Sequence, residues 1–503
     1  MASRILFIVY DNESKISFFP LAQSYLAGAL EKAGHEVEMW QQDFHHWPDE
    51  KITEYLDEKH FDMVGISVAG GYYQYARLKG LCKGVNASKN RPFLAVGGHM
   101  CTPAPEYFIN NFGIDAIALG EGENTVVDLV KALEDKTSLE DVKGIAFKRS
   151  SCPTFYSGVK SEHFKKSLSL LEDYTGDEIV SNCRQPLVQD LDEIPWPSYH
   201  LFPIEYYRLR GGGGGALAGA DKNAFALPMI TSRGCTFQCA FCYRLDKGFR
   251  ERSTESVIEE MKFLYKTYNI TYILFDDELT MNNTKKTMQF SNDFIKAGVG
   301  TSKLPVKWGC NGRLNFVTKE LVETMQKAGC VFINYGVESY DNKVLKLMRK
   351  ACTTKVIDRA VQATLDAGIH PGLNMLWNNE GDTAETLQKN VDFLLKYDDF
   401  AQVRTIRPTT PYPGSPLFHT AIRLGLLDKE NPVFDFYEKK HINSDLFCVN
   451  FTDMTEEDAY AALCDANRIL LKNYHAAQWD KVEEDLHRVY VEKDPTFRGF
   501  RLV

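Results

Sequence analysis

No apolar run in this chain approaches the ~18 consecutive residues that crossing a bilayer requires, and the first apolar run, residues 5–9, is too short for the core of a signal peptide. A cytoplasmic protein is therefore expected. Basic blocks are missing as well: the net charge is −10 over 503 residues, which argues against an extended grip on nucleic acid. Cysteine is sparse, 12 in all, and most are scattered singly (Cys82, Cys101, Cys152, Cys183, Cys310, Cys330, Cys352, Cys448 and Cys464), so buried free thiols in a reducing compartment fit better than a disulfide framework. The glycine run at 211–215 is followed by no Lys-Ser/Thr, which leaves it without the mark of a phosphate-binding loop. With 44% hydrophobic and 25% charged residues, disorder is not the default state.

What is present is one dense group of thiols. Cys235, Cys239 and Cys242 stand in Gly234-Cys235-Thr236-Phe237-Gln238-Cys239-Ala240-Phe241-Cys242-Tyr243, just past an apolar run at 225–230 that reads as a buried strand. All three thiols then belong to one loop at a strand's C-terminal end. Such a loop can wrap one metal centre, and three thiolates on a [4Fe-4S] cube leave one iron open to an outside ligand. A zinc site completed by a remote fourth ligand is the competing reading; zinc motifs usually come as two Cys-x-x-Cys pairs, and no second pair is present.

The C-x-x-x-C-x-x-C spacing with Phe241 before the last cysteine resembles the signature of radical SAM enzymes. That resemblance implies S-adenosylmethionine (SAM) chelated on the open iron and cleaved to a 5'-deoxyadenosyl radical, with Phe241 and Tyr243 on the SAM side of the loop.

At this length two or three domains are expected. Strand-like runs at 5–9, 36–40, 63–68, 93–96 and 114–119 alternate with helical patterns, the first at 21–33 ended by Gly34, which predicts an α/β domain built on a doubly wound, Rossmann-like parallel sheet over residues 1–140. Ligands of such sheets sit beyond the strands' carboxyl ends, here Tyr10 and Asp11, Ser67, Gly97 and Gly98, and Gly120, Glu121, Gly122 and Glu123. The segments Gly97-Gly98-His99, Ala104-Pro105-Glu106 and Gly120-Glu121-Gly122-Glu123 resemble the cobalamin-binding domain upstream of many radical SAM enzymes. Those strand-end residues, with His99, are the cobalamin contacts the resemblance implies. The loop after the first strand, Tyr10-Asp11-Asn12-Glu13-Ser14, carries no Asp-x-His-x-x-Gly, so no lower-face histidine is offered to cobalt; His99 reads as a loop residue.

Residues 141–222 form a connector, with a polar stretch at 160–166, prolines on both sides of Trp196 and the glycine run. From 223 to 429 six strand-helix units are expected, with strands at 225–230, 272–275, 306–309, 331–337, 372–377 and 402–406, which suits an open, partial (βα)6 TIM-like barrel whose active site lies at the strand C-termini. Asp276, Asp277 and Glu278 stand at the second of these ends, Arg313 past the third, Glu338 and Ser339 at the fourth. Carboxylates there can accept from the ammonium of SAM, the guanidinium can pair with its carboxylate, and Glu338 or Ser339 can hold ribose hydroxyls. By resemblance these are the family's acidic, arginine and ribose motifs. Asn378-Asn379-Glu380-Gly381-Asp382-Thr383 stands where many relatives carry a Gly-Leu-Pro-Gly-Glu-Thr-like loop and lacks the proline. Tyr412-Pro413-Gly414-Ser415-Pro416 fixes a tight turn near the barrel mouth. Residues 430–503 read as a helical C-terminal region, with Thr455 opening a helix whose face is Ala459, Leu463, Ala466 and Leu470.

The resemblance implies a cobalamin-dependent radical SAM methyltransferase that moves a methyl group from SAM through methylcobalamin to an unactivated carbon. Its cofactors would be a [4Fe-4S] cluster, SAM and cobalamin. The expected partners are an electron donor such as flavodoxin or ferredoxin and a substrate that is a small metabolite, peptide, lipid or tetrapyrrole. Rival readings are a non-methylating radical oxidation, cyclisation or rearrangement on the same cofactors, a tRNA methylthiotransferase, whose extra cysteine trio is not apparent, and a corrinoid carrier with a merely structural metal.

Overall fold

The computed structural model describes residues 2–12, 18–151, 178–210, 218–221 and 223–493. The polar stretch at 160–166, the glycine run at 211–215, Cys152, Glu13 and Ser14 lie outside the described residues.

The first sheet contains β1 (Arg4–Val9), β2 (Glu36–Gln41), β3 (Met63–Ser67), β4 (Phe93–Gly97), β5 (Ala116–Ala118), β6 (Ile145–Lys148) and β7 (Ile179–Ser181), in the order β2-β1-β3-β4-β5-β6-β7. The first five strands run parallel and the last two antiparallel. Strand β1 is buried on both faces, as a central parallel strand must be. Its alternation separates two cores: Ile5 and Phe7 join Ala27, Leu30, Val126 and Leu129 on one side, while Leu6 and Ile8 join Leu78, Leu81, Val85 and Phe108 on the other. Strands β6 and β7 lie inside the stretch read as connector. They are four and three residues long, too short for a periodic signal in sequence.

The second sheet contains β8 (Ala226–Met229), then β11 (Tyr272–Phe275), β12 (Lys307–Gly312), β13 (Cys330–Glu338), β14 (His370–Trp377) and β15 (Ile406–Pro408), all parallel and in chain order, which is the open six-unit barrel expected. Between β8 and β11 a two-stranded antiparallel ribbon, β9 (Ser232–Arg233) with β10 (Arg250–Glu251), closes the neck of the cysteine loop. The barrel floor is filled by rings: a Cβ at Gly309 would lie 2.4 Å from the Tyr272 hydroxyl, so only glycine admits that ring. Above it, side chains of the same strand parity form a polar ladder. The Asn374 amide donates to Asn334 (3.0 Å), Asn334 donates to Asn311 (3.0 Å), and Asn311 donates to the Asp277 carbonyl (2.7 Å).

The expected sixth strand at 402–406 starts only at Ile406. Arg404 accounts for the difference. Its buried guanidinium binds the Tyr397 and Pro371 carbonyls and the Asp398 and Asp399 carboxylates, and this fixes the approach as a loop. The helix Glu456–Tyr490, capped by Thr455, buries Ala459, Leu463, Ala466 and Leu470 and packs against the helix Ala384–Lys396. Its Asn467 exchanges two hydrogen bonds with the Ile406 backbone (2.8 and 3.0 Å), covering the edge of β15. Among the described residues no helix is long and apolar enough to cross a membrane.

Candidate functional site

The cysteine loop is built on a crossed neck. Gly234 has φ +85°, and a Cβ there would meet the Gly248 carbonyl at 2.4 Å, so glycine is required both for the left-handed backbone and for the crossing. The buried carboxylate of Asp277 accepts from the Thr231 and Ser232 amides (2.7 and 3.0 Å) and from the Thr231 and Thr280 hydroxyls, which aligns the end of β8 with the ribbon. Burial pushes its pKa up, and those four donors pull it back. Asp277 is thus spent on the scaffold, while Asp276 and Glu278 on either side keep surface open to solvent. Desolvation by the surrounding protein nevertheless raises both carboxyls, with Asp277 adding to the rise at Asp276.

The loop is pinned at its centre. The Ala240 amide, between Cys239 and Cys242, donates to the Met348 carbonyl (2.8 Å), and the Ala240 carbonyl accepts from Leu417 (2.8 Å). Cys239 is buried, Cys235 half-buried and Cys242 exposed. Yet burial pushes the Cys242 thiol up to about 12. Arg313 stands beneath the loop, buried, with its guanidinium donating to Cys239 Sγ (3.5 Å), lying 3.4 Å from the centroid of the Phe237 ring and donating also to the Lys350 carbonyl. Its Nε is buried without a partner.

At the end of β13, Glu338 is a buried non-glycine residue at φ +69°, next to a register irregularity with β14. Such strain persists only where the surroundings enforce it. Here Lys350 Nζ pairs with the Glu338 carboxylate at 3.0 Å, and a Cβ at Gly336 would fall 2.0 Å from Glu338 Oε1, so Gly336 makes room for the pair. Ser339 is fully buried and its hydroxyl accepts from the Asp341 amide (3.3 Å). Phe241 is half-buried, 5.6 Å from Lys350 Nζ.

The first sheet turns its strand ends toward this loop. The His99 ring meets the Tyr243 ring edge-on at 6.3 Å. Burial holds the His99 imidazole below its usual range, with Asp246 opposing, although the ring keeps an open surface into the cleft. The turn at Tyr412-Pro413-Gly414 wedges between the two bodies: a Cβ at Gly414 would lie 2.5 Å from the Tyr243 ring and 2.8 Å from Pro103, and one at Gly70 would touch Tyr412 at 3.4 Å. A Cβ at Gly97, two residues before His99, would touch only Ala118, at 3.4 Å. Tyr10 is half-buried and raised to about 12 by burial. Asp11 accepts from or pairs with His46 Nδ1 at 3.0 Å, and the Ser67 carbonyl accepts from Gln23 (3.3 Å).

The loop at Gly120 and Gly122 carries a feature that no sequence pattern announced. Arg233 on β9 grips Glu123 with both terminal nitrogens and stands 3.6 Å from Glu121, while Arg250 on β10 grips Glu121 in the same two-pronged way. All four side chains are at most 15% exposed. Burial would raise Glu123, but Arg233's charge and hydrogen bonds outweigh it and hold the carboxyl below its usual range. The two arginines flank the cysteine loop, so the ribbon that closes the loop is also what docks it on the first sheet. Sequence analysis missed Arg233, Arg250 and Lys350; the adjacency of Arg233 to Gly234 and Cys235 was the one available signal.

Comparison with known proteins places these features. Residues 229–394 match the Radical SAM superfamily model, and residues 9–130 match the B12 binding domain model. An uncharacterized methyltransferase of Pyrococcus horikoshii is 28% identical over 439 residues, 84% of each chain. An anaerobic magnesium-protoporphyrin IX monomethyl ester cyclase of Cereibacter sphaeroides is 27% identical over 420 residues, 80% of this chain and 60% of that protein. Cytidylyl-2-hydroxyethylphosphonate methyltransferase of Streptomyces wedmorensis is 24% identical over 455 residues, 84% of this chain and 82% of that one. Among solved structures, the methyltransferase TsrM from Kitasatospora setae with cobalamin and a [4Fe-4S] cluster bound aligns with a TM-score of 0.62 at 17% identity, covering 84% of this chain and 75% of that one. The cobalamin-dependent enzyme OxsB aligns at 0.60 and 20% identity, covering 94% of this chain and 56% of that one. The arrangement of a B12-binding sheet, an open parallel barrel and a helical end is shared with these folds.

The donor set fits the groups these families carry. Three thiols on one loop, with a buried cation against one of them, and glycines at the strand ends of the neighbouring sheet suit a cluster and a flat macrocycle.

Proposed function

We propose, on the premise that this chain is a radical SAM enzyme carrying an N-terminal B12-binding domain, that it transfers a methyl group from SAM through cobalamin to an unactivated carbon. The observation that carries this reading is the closeness of the two ligand-binding edges. The ring centroids of His99 at the first sheet and Tyr243 in the cysteine loop are 6.3 Å apart, which supports placing the groups held at the two edges close to one another.

When bound, the cluster and SAM supply a carbon radical for hydrogen abstraction, and the corrinoid supplies the methyl group. The chain's own work is placement. Cys235, Cys239 and Cys242 are assigned to the cluster, which requires release of their protons. Asp276 and Glu278 face outward where an ammonium can be bound, and the unpartnered Arg313 Nε is available to a carboxylate. Glu338 and Ser339, with Phe241 and Tyr243, complete the SAM side; the Gly97, Gly98 and Gly120 edge, with His99, Tyr10 and Ser67, takes the macrocycle. Glu121, Glu123 and Asp11 support that edge through ion pairs. No protein base is needed for a hydrogen-atom transfer; exclusion of water and oxygen and near-attack placement are.

A second reading, radical cyclisation or oxidation on the same cofactors, is favoured by the cyclase relative. The deciding experiment is anaerobic incubation of the reconstituted enzyme with SAM carrying a deuterated methyl group and an extract of metabolites. Transfer predicts a product bearing the labelled methyl, together with S-adenosylhomocysteine and 5'-deoxyadenosine. An unlabelled product accompanied by 5'-deoxyadenosine alone supports the second reading and contradicts the first.

A further inference from the structure

One exposed segment beside the cysteine loop is basic, in a chain of net negative charge. Residues 342–357 contain Lys343, Lys346, Arg349, Lys350 and Lys355 and no acidic residue, against a net charge of −10 for the whole. Lys350 turns inward to Glu338; Lys343, Lys346, Arg349 and Lys355 are exposed, and Leu347 between them is 40% exposed. No ion pair engages Lys343, Lys346 or Arg349 among the described residues. The helix Asn342–Leu347 therefore offers unneutralised charge around an apolar centre.

The inner side of the same segment touches the cysteine loop. Met348, between Leu347 and Arg349, accepts through its carbonyl from the Ala240 amide at 2.8 Å. Lys350 accepts through its carbonyl from Arg313, the residue that donates to Cys239 Sγ at 3.5 Å. Arg349 and Ala351 both hold φ +53°, a left-handed conformation disfavoured for non-glycine residues that marks the segment's path over the loop. A single thickness of backbone thus separates the basic surface from the thiols.

We propose that this face docks an acidic one-electron carrier protein and passes its electron to the cluster held by Cys235, Cys239 and Cys242. The inference rests on the reading of those cysteines as cluster ligands. Weak redox encounters use small interfaces, and like this one they gain more in association rate than in affinity from complementary charge. The step balances as a single-electron transfer: a flavin hydroquinone anion becomes the neutral semiquinone, the cluster goes from the 2+ to the 1+ state, and no proton moves.

The test uses the reconstituted full-length protein and two reductants, flavodoxin hydroquinone and dithionite, with bleaching of the cluster's visible absorbance as the readout. Reversing the patch with K343E, K346E and R349E together is expected to slow reduction by flavodoxin about tenfold or more and to leave the dithionite rate unchanged. Wild-type reduction by flavodoxin should also fall as ionic strength rises. Equal rates for variant and wild type with flavodoxin overturn the proposal, and so does equal slowing with both reductants, which would mean that the surface only supports the loop. A wild-type protein that assembles no cluster at all contradicts the functional reading instead, so the two failures are distinguishable.

Discussion

Gly234 has little freedom beside the thiols, since its left-handed backbone and its 2.4 Å approach to the Gly248 carbonyl both forbid a side chain. Gly234→Ala is expected to cost roughly 1–2 kcal/mol for the backbone alone, with further loss from the clash, and to lower the iron bound per chain; thermal unfolding and iron assay read the two effects. Cys239→Ala should abolish both iron retention and SAM cleavage, and a variant that kept both would remove the basis for the cluster assignment. Glu123 lends itself to a pH test. Its folded pKa lies below the ordinary carboxylate value, so its contribution is fully present above that range and is lost as pH falls through the depressed value. Glu123→Gln leaves Arg233 with only the more distant Glu121, a destabilisation on the order of 3 kcal/mol at neutral pH. The variant should show a flatter loss of stability on acidification than the wild type, measured by urea midpoints across the acid range.

Elements differ in how much of them the sequence displays. Strands β1 to β4 and the helix after Thr455 stand where periodicity and capping residues put them, because each is decided by its own local pattern. The cysteine spacing was legible for the same reason. Strand β15 starts late because Arg404, seven residues from one of its backbone partners and 33 from another, rewires the approach, and no local pattern encodes that. The Arg233 and Arg250 pairs to Glu123 and Glu121 bridge 110 and 129 residues, so they become visible only once two domains dock. The connector behaves likewise. Its Tyr199 hydroxyl donates to the buried Glu260 at 2.6 Å, and Ser198 donates from its amide to the Ser24 carbonyl at 3.0 Å, which makes Trp196 to Tyr199 a strut between the helices Leu21–Lys32 and Thr254–Tyr268. Tyr199→Phe is expected to cost about 1–3 kcal/mol through the lost bond to a charged acceptor, as a fall in denaturation midpoint.

At the scale of the whole molecule, the two sheets are joined on three sides: by the arginine-glutamate pairs, by the Tyr412 to Gly414 wedge and by the connector strut. The proposed reaction, divided between two cofactors, depends on such a joint. The exchange Glu123→Arg with Arg233→Glu should restore part of the docking that either single change loses, and with it the ratio of methylated product to 5'-deoxyadenosine, since positioning rather than chemistry is what the pair supplies. The claim that the corrinoid and the cluster face one another is tested most directly by electron paramagnetic resonance of the enzyme carrying both cob(II)alamin and the reduced cluster. Facing edges predict a cob(II)alamin signal that is broadened and relaxes faster when the cluster is reduced. A spectrum equal to the sum of the two separate centres would contradict the shared cavity.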